Sequence, residues 1–215
     1  MRAVALLLIA VFAAYAAYFG WRIVEARRLA PDAVAALLAD ADPADEALSA
    51  ERKEWFVKVE DPTFWTNDGV DEKTPGAGRT TIAQGLGKRL FFKRFSPGPL
   101  KLGKLELMAM TRFALIPAVS KNDILAAAIA TLYLGSDESG AVNGFAEGAR
   151  RWFGKELGAL SDEEFLSLVA MAPAPNRFRP GGAANAERVG RIRRYLDGAC
   201  APKNVDDIYY EACAR

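Results

Sequence analysis

Gly78-Arg79-Thr80-Thr81-Ile82-Ala83-Gln84-Gly85-Leu86-Gly87-Lys88 is the stretch on which the reading of this chain turns. A glycine precedes two hydroxyl residues, and helical periodicity starts behind them. Thr80 or Thr81 is therefore expected to N-cap a helix reaching about Phe92, because a threonine hydroxyl accepts from the free N–H groups of a first turn. Those N–H groups also favour anions. Thr80, Thr81 and Gln84 can add hydroxyl and amide hydrogen bonds, and Lys88 lies two turns beyond Thr81 on the same helix face. The stretch is not a nucleotide-binding P-loop, which would need glycine at Ile82 and a hydroxyl at Arg89.

Outward from it, Arg79 to Lys104 holds seven Lys/Arg and no Asp or Glu, whereas the whole chain is only +1, which leaves −6 for the rest. Such a window is either a solvated basic helix face or the partner of an anion. Inside it, Leu90-Phe91-Phe92-Lys93-Arg94-Phe95 interleaves aromatics with cations. That pattern suits a bilayer interface or a polyprenyl phosphate lying in it; it also suits single-stranded nucleic acid or a packed core. An apolar N-terminal segment on the same chain favours lipid, and no nucleic-acid partner is expected.

The chain has no histidine. This excludes Ser-His-Asp and Cys-His catalysis and any histidine-based zinc site, and leaves carboxylates, Lys, Tyr or Cys for acid–base work. No residue reads as a metal ligand. Ala3 to Trp21 is 19 residues without a charge between Arg2 and Arg22, enough to span a hydrocarbon core of roughly 30 Å. Tyr15, Tyr18 and Trp21 sit toward its end, as interfacial aromatics do. Ala14-Tyr15-Ala16 also fits a signal-peptidase site, but the apolar run continues past it, which favours an anchor. Arg22, Arg27 and Arg28 behind the span lean toward a cytoplasmic C-terminal side. Cys200 and Cys213 form either a short bridged loop or two free thiols.

The organisation follows as residues 1–28 anchor, 29–53 acidic connector, 54–182 main domain, and 183–215 C-terminal helix and tail. Ala30 to Ser49 reads as a short helix with its connector. Glu54 to Glu60 partly alternates and reads as a short strand or extended segment. Asp61 to Gly78 reads as loop. Ser96-Pro97-Gly98-Pro99 breaks the chain, Leu100 to about Leu115 reads as a buried helix, and Pro117 ends it. Ser120 and Ser161 each open a capping box, ahead of helices to about Leu134 and Met171. Gly135 to Gly144 reads as a loop, and Phe145–Phe153 and Ala186–Leu196 as helices. Glu60, at the end of its segment and near Phe64 and Trp65, is a candidate general base with a raised pKa.

Taken together these motifs resemble the peptidoglycan glycosyltransferases of family 51, over roughly Val59 to Pro180. Glu60-Asp61-x-x-Phe64 with Gly69 is similar to the family's Glu-Asp-x-x-Phe-x-x-His-x-Gly motif. Gly78-x-Thr80-Thr81-Ile82-x-Gln84-x-Leu86-x-Lys88 is similar to Gly-x-Ser-Thr-Ile-x-Gln-Gln-x-x-Lys-Asn. Ser120-Lys121-x-x-Ile124-Leu125, Leu132-Tyr133-Leu134-Gly135, Trp152-Phe153-Gly154-Lys155 and Leu160-Ser161-x-x-Glu164 match later segments. The resemblance implies a mostly α, lysozyme-like transglycosylase domain behind one N-terminal transmembrane helix. It implies a lipid-linked disaccharide pyrophosphate as substrate, with Glu60 as catalytic base. Thr80, Thr81, Gln84, Lys88 and Lys104 would bind pyrophosphate or sugar, and Phe91, Phe92 and Phe95 would contact lipid. It further implies Mg or Mn at the leaving pyrophosphate, other cell-wall synthesis proteins as partners, and a single-pass protein of the bacterial inner membrane. Its domain would face the periplasm, where Cys200 and Cys213 could pair.

The chain departs from the family at several positions. The motif Arg-Lys-x-x-Glu, counted back from Ser120-Lys121, falls on Lys104, Leu105 and Met108, so the second catalytic glutamate is a methionine. A further acid often found eight residues on reads Ile116. Glu106 is two residues from Met108, about 200° round a helix, and is expected to face elsewhere. The first-motif histidine reads Asn67; Gly85 and Arg89 replace a glutamine and an asparagine. These changes fit either a weakened polymerase or a relative that binds precursor without polymerising it. A lysozyme-like hydrolase is the third reading, set last because a basic window suits pyrophosphate better than neutral glycan.

Overall fold

The computed structural model describes residues 2–98 and 101–214 and is mostly helical. Helix α1 (Arg2–Ala39) is one continuous element with Pro31 inside it. It is long and apolar enough to cross a membrane, and its first half stands clear of the rest of the chain. The expected short helix over Ala30–Ser49 is corrected: α1 runs unbroken to Ala39, and the remainder holds the one-turn α2 (Pro43–Glu46) and the connection to the next helix. Small side chains explain the approach of α1 to the domain. Ala26, Ala30 and Val34 recur along one face and are buried there, as residues four apart on a helix must be if one face packs.

The strand expected over Glu54–Glu60 is instead helix α3 (Ala50–Glu60). Ser49 caps it, accepting from Arg52 N at 3.3 Å, and a good cap followed by Ala-Glu-Arg-Lys-Glu outweighs a partial alternation. Phe56, Val57 and Val59 are buried. Phe56 meets Phe145 edge-on at 5.4 Å, and Phe145 packs on Phe165 at 5.2 Å. Arg52 lies over Phe165 and donates to the carbonyls of Leu157 and Leu160. α3 is thereby fixed along its length before it stops at Asp61, and Glu60 is its last residue.

Helix α4 (Ile82–Phe91) is capped by Thr81. The helix expected over Leu100–Leu115 is α5 (Leu102–Met110), widened into a π-turn at Thr111–Leu115 and continued by α6 (Ile116–Ala118). Pro99 and Leu100, within the expected break and helix start, lie outside the described residues. Thr111 donates back to Leu107 O at 2.8 Å where the helix widens, as threonines in helices do. Pro117 does not end the helix at once; it sits in the first turn of α6, where a missing N–H costs least. Nor is this helix buried all round: Leu102, Leu105 and Phe113 are exposed, while Leu107, Met110, Ala114 and Leu115 are not.

Helix α7 (Lys121–Thr131) ends three residues early, and the expected loop from Gly135 to Gly144 is a β-hairpin. Strands β1 (Tyr133–Asp137) and β2 (Gly140–Asn143) pair antiparallel with a bulge between Tyr133 and Ser136. Helix α8 (Phe145–Phe153) opens on Gly144, which has no side chain to cap it. Buried Asp45 of α2 supplies the missing acceptor, taking Ala146 N at 2.8 Å, and burial pushes its carboxyl up to about 6. Helix α9 (Asp162–Val169) carries the full reciprocal capping box of Ser161 and Glu164. At Ser120 only the forward half forms. Helix α10 (Ala183–Leu196) packs on α3 and α9, and Cys200 and Cys213 are joined by a disulfide that closes the tail.

Candidate active site

Glu60 and the basic stretch share the walls of one open cleft of about 930 Å³. α3 delivers Glu60 and α4 delivers Lys88 and Arg89. The loop before α4 adds Arg79 and Thr80, and the segment after it adds Phe92, Lys93 and Phe95. Pro173 and Pro175 form part of the opposite side, with Leu132 and Tyr133 from the end of α7 and the hairpin.

Glu60 is held by Arg188, whose Nη2 lies 3.4 Å from Oε1. The arginine is almost fully buried, whereas the carboxylate keeps about one-fifth exposure. Burial raises the Glu60 pKa above the ordinary range, and Arg188 opposes that rise without cancelling it. Arg188 does not depend on Glu60 alone. It also donates to Val169 O, to Ala170 O at 2.7 Å and to Ile208 O at 2.9 Å. The sequence offered Arg188 only as one of four arginines on α10. No local pattern distinguishes a buried arginine from a solvated one.

Asp61, next to Glu60, has a different task. It is fully buried and accepts from Ile82 N at 3.1 Å and from Asn67 Nδ2 at 2.8 Å. A carboxylate at the N-terminus of α4 is favoured by the free N–H groups there. Burial dominates nonetheless and pushes its pKa up to about 6. Lys121 completes the knot, donating to Phe64 O at 2.6 Å and Asn67 O at 2.8 Å. Asn67, the position of the family histidine, is thus spent on holding the turn after α3.

The residues singled out by sequence divide into two sets. Thr80, Lys88, Phe92 and Phe95 line the cleft with Glu60. Lys88 lies over the Phe95 ring at 5.2 Å, and burial lowers its pKa. Thr81 lines it too, whereas Gln84 and Lys104 do not; they brace the wall from behind. The Thr81 hydroxyl donates to Gly69 O at 2.8 Å and accepts from Gln84 N at 3.1 Å. Gln84 is buried and its amide oxygen takes Lys104 Nζ at 2.8 Å, while Lys104 also donates to Arg79 O. Burial and the neighbouring Lys88 push Lys104 down to about 8. Phe91 packs with Phe92 against Ile23, Ala26, Met110 and Ala114, so it ties the cleft rim to α1.

Glu106 does not reach the cleft. It pairs with Arg22 of α1 at 3.4 Å, as the helical rotation predicts. Met108 is half-buried on α5 and is absent from the cleft wall. No cluster of three or more metal-ligating side chains occurs among the described residues. The two carboxylates of the cleft, Glu60 and Asp206, are each engaged by an arginine. This donor set does not fit a divalent ion.

Asp206, Ile208 and their neighbours are the residues that sequence reading missed. Residues 204–208 run along the cleft, where Asn204 O accepts from Gly76 N at 2.9 Å and Val205 O from Gly78 N at 2.8 Å. Gly78 has φ +68, and a Cβ there would meet Ile208 Cγ2 at 2.8 Å. Only glycine allows both the left-handed backbone and the contact.

The transglycosylase family profile matches residues 39–198. Among curated proteins, penicillin-binding protein 1B of Vibrio cholerae is 29% identical over 151 residues, 63% of this chain and 19% of the relative. A putative transglycosylase of Cupriavidus necator is 27% identical over 154 residues, 65% of this chain and 62% of the relative. The chain thus spans about a fifth of the first and three-fifths of the second.

Proposed function

This chain belongs to the transglycosylase family, as a divergent member of the family 51 group, and from that premise we propose that it extends glycan strands from a lipid-linked disaccharide pyrophosphate. The observation that carries this reading is the sharing of one cleft by the half-buried Glu60 carboxylate and the cations Lys88, Arg89 and Lys93. Glu60 takes the proton of an acceptor sugar hydroxyl as that oxygen attacks the anomeric carbon of the donor. The bond from that carbon to pyrophosphate breaks, and polyprenyl pyrophosphate departs with the electron pair. Lys88, Arg89 and Lys93 face the charge that develops on it, where fixed cations act best. Phe92 and Phe95 suit the first isoprenoid units, and α1 keeps the cleft at the bilayer. The disulfide supports an oxidising compartment, hence a periplasmic domain.

Purified protein incubated with the lipid-linked precursor is expected to yield polymer, and Glu60→Gln to lower the rate by about 10²–10⁴. Equal product from both proteins would contradict the assignment. A second reading, a precursor-binding relative without turnover, draws on Glu106 being committed to Arg22 and on Met108 lying off the cleft. It is favoured if precursor binds, binding weakens in Lys88→Ala, and no polymer forms at high protein concentration.

A further inference from the structure

The tail that follows α10 lies beyond the residues matched by the family profile, yet it touches both charged halves of the cleft. On the general-base side, Ile208 O accepts from Arg188, the arginine that holds Glu60. Tyr210 is fully buried, donates to Val59 O at 2.6 Å next to Glu60, and packs on Tyr195 of α10 at 4.8 Å. On the cationic side, Asp206 takes Arg79 in a two-point contact, at 2.8 and 2.9 Å. The backbone of 204–205 covers Gly76 and Gly78. The ends of this segment are fastened by the Cys200–Cys213 bridge and by Arg194 Nε donating to Cys213 O at 2.7 Å.

We propose that the disulfide-closed tail is a positioning element of the active site, setting Glu60 through Ile208, Tyr210 and Arg188, and Arg79 through Asp206. The proposal rests on Glu60 being the base of the reaction above. Its two arms carry unequal weight. The Arg188 side is buried, so its hydrogen bonds are made in a poorly solvated setting and fix geometry strongly. Arg79 and Asp206 are about 60% exposed, where such pairs contribute little and water competes. The tail therefore fixes the base firmly and holds Arg79 loosely, as a carboxylate that an entering pyrophosphate displaces. The groups facing Glu60 are Arg188 from α10 and Tyr210 from the tail, so loosening the tail admits water to all three.

The test uses the full chain in detergent micelles, labelled with carboxyl-¹³C glutamate, with the Glu60 signal assigned by its loss in Glu60→Gln. Its titration midpoint is compared in the oxidised protein, in Cys200→Ser/Cys213→Ser and in Tyr210→Phe. Releasing the tail is expected to lower the midpoint by about one pH unit, a tenfold change in proton affinity. Separately, Asp206→Asn is expected to tighten binding of inorganic pyrophosphate a few-fold and to leave the Glu60 midpoint in place. If the double-serine protein loses its helix content, Tyr210→Phe decides. Midpoints that coincide with wild type in every folded variant overturn the proposal. Neither measurement needs turnover, so a protein that makes no polymer but shows these shifts refutes the polymerase reading alone.

Discussion

Replacing Arg188 by methionine tests the electrostatic design of the cleft most directly. The substitution keeps much of the buried volume and removes the charge and every donor. Four acceptors lose a partner: Glu60 Oε1 and the carbonyls of Val169, Ala170 and Ile208. Breaking a buried pair by removing one partner costs about 3–5 kcal/mol. For a domain this size that lowers Tm by roughly 6–20 °C. Glu60→Gln is the asymmetric control. Arg188 keeps three carbonyl partners in that variant and the replaced group is partly exposed, so its loss is about 1 kcal/mol or less. The pH dependence carries a definite sign. In Arg188→Met nothing offsets burial, so the Glu60 pKa rises further above its unfolded value. A carboxyl raised in this way contributes stability that is present below the unfolded value and lost as pH climbs through the folded one. The orphaned carbonyls cost the same at every pH, so the penalty of Arg188→Met is smaller near pH 5 than near pH 8. Thermal unfolding by near-UV circular dichroism of the detergent-solubilised chain reads both effects. Equal Tm losses in the two variants, or a loss in Arg188→Met that ignores pH, would refute this account of the pair.

Three further outcomes follow from the same geometry. Pyrophosphate binding is expected to weaken as pH rises through about 8, where Lys104 loses its proton and its brace on Gln84 and the Arg79 carbonyl behind the cleft wall loosens; stability moves the other way, gaining between that value and the free-lysine range of about 10.4. Lys104→Met should abolish that binding limb in a calorimetric titration. Glu106→Gln should leave turnover within about twofold, since it loses only a partly exposed pair with Arg22; a fall of about 10²–10³ would instead mark it as a second acid. Gly78→Ala should cost about 1–3 kcal/mol from its positive φ and push Ile208 away, which faster reduction of the Cys200–Cys213 bridge by dithiothreitol would report.

The helical transglycosylase class was legible because it rests on local signals: Thr81, Ser120 and Ser161 cap the helices their hydroxyls announced. The failures have physical causes of the opposite kind. α3 looked extended because Trp55, Phe56, Val57 and Val59 are apolar for tertiary reasons, packing on Phe145, Phe165 and the tail. The hairpin at Tyr133–Asn143 was hidden by its glycines, which read as loop but serve a bulge and a tight turn. At the cleft, cations and a carboxylate could be named from spacing. Which hydroxyl or amide is free and which is already bonded depends on contacts across the fold. Thr81 meets Gly69, Gln84 meets Lys104, and Arg188 meets Glu60 from 128 residues away.

This distinction changes what the basic window means. Seven cations in a run suggest a strong anion site, but their charges are not all available to a ligand. Lys104 is committed to Gln84 and the Arg79 carbonyl. Arg79 is covered by Asp206, and Lys88 rests on Phe95 with its charge weakened by burial. Arg89 and Lys93 on the cleft wall are the least encumbered. Fixed cations stabilise a departing pyrophosphate in proportion to how little they must reorganise when it forms. Arg79 must first leave a carboxylate, whereas Lys88 need only turn from a ring face. Binding energy at Lys88 is therefore realised with little rearrangement, and that at Arg79 only after the tail yields. The sequence of events this implies, Lys88 first and Arg79 after displacement of Asp206, gives the Asp206→Asn variant a second readout: its gain in pyrophosphate affinity should disappear when Arg79 is replaced by glutamine and persist when Lys88 is replaced by alanine.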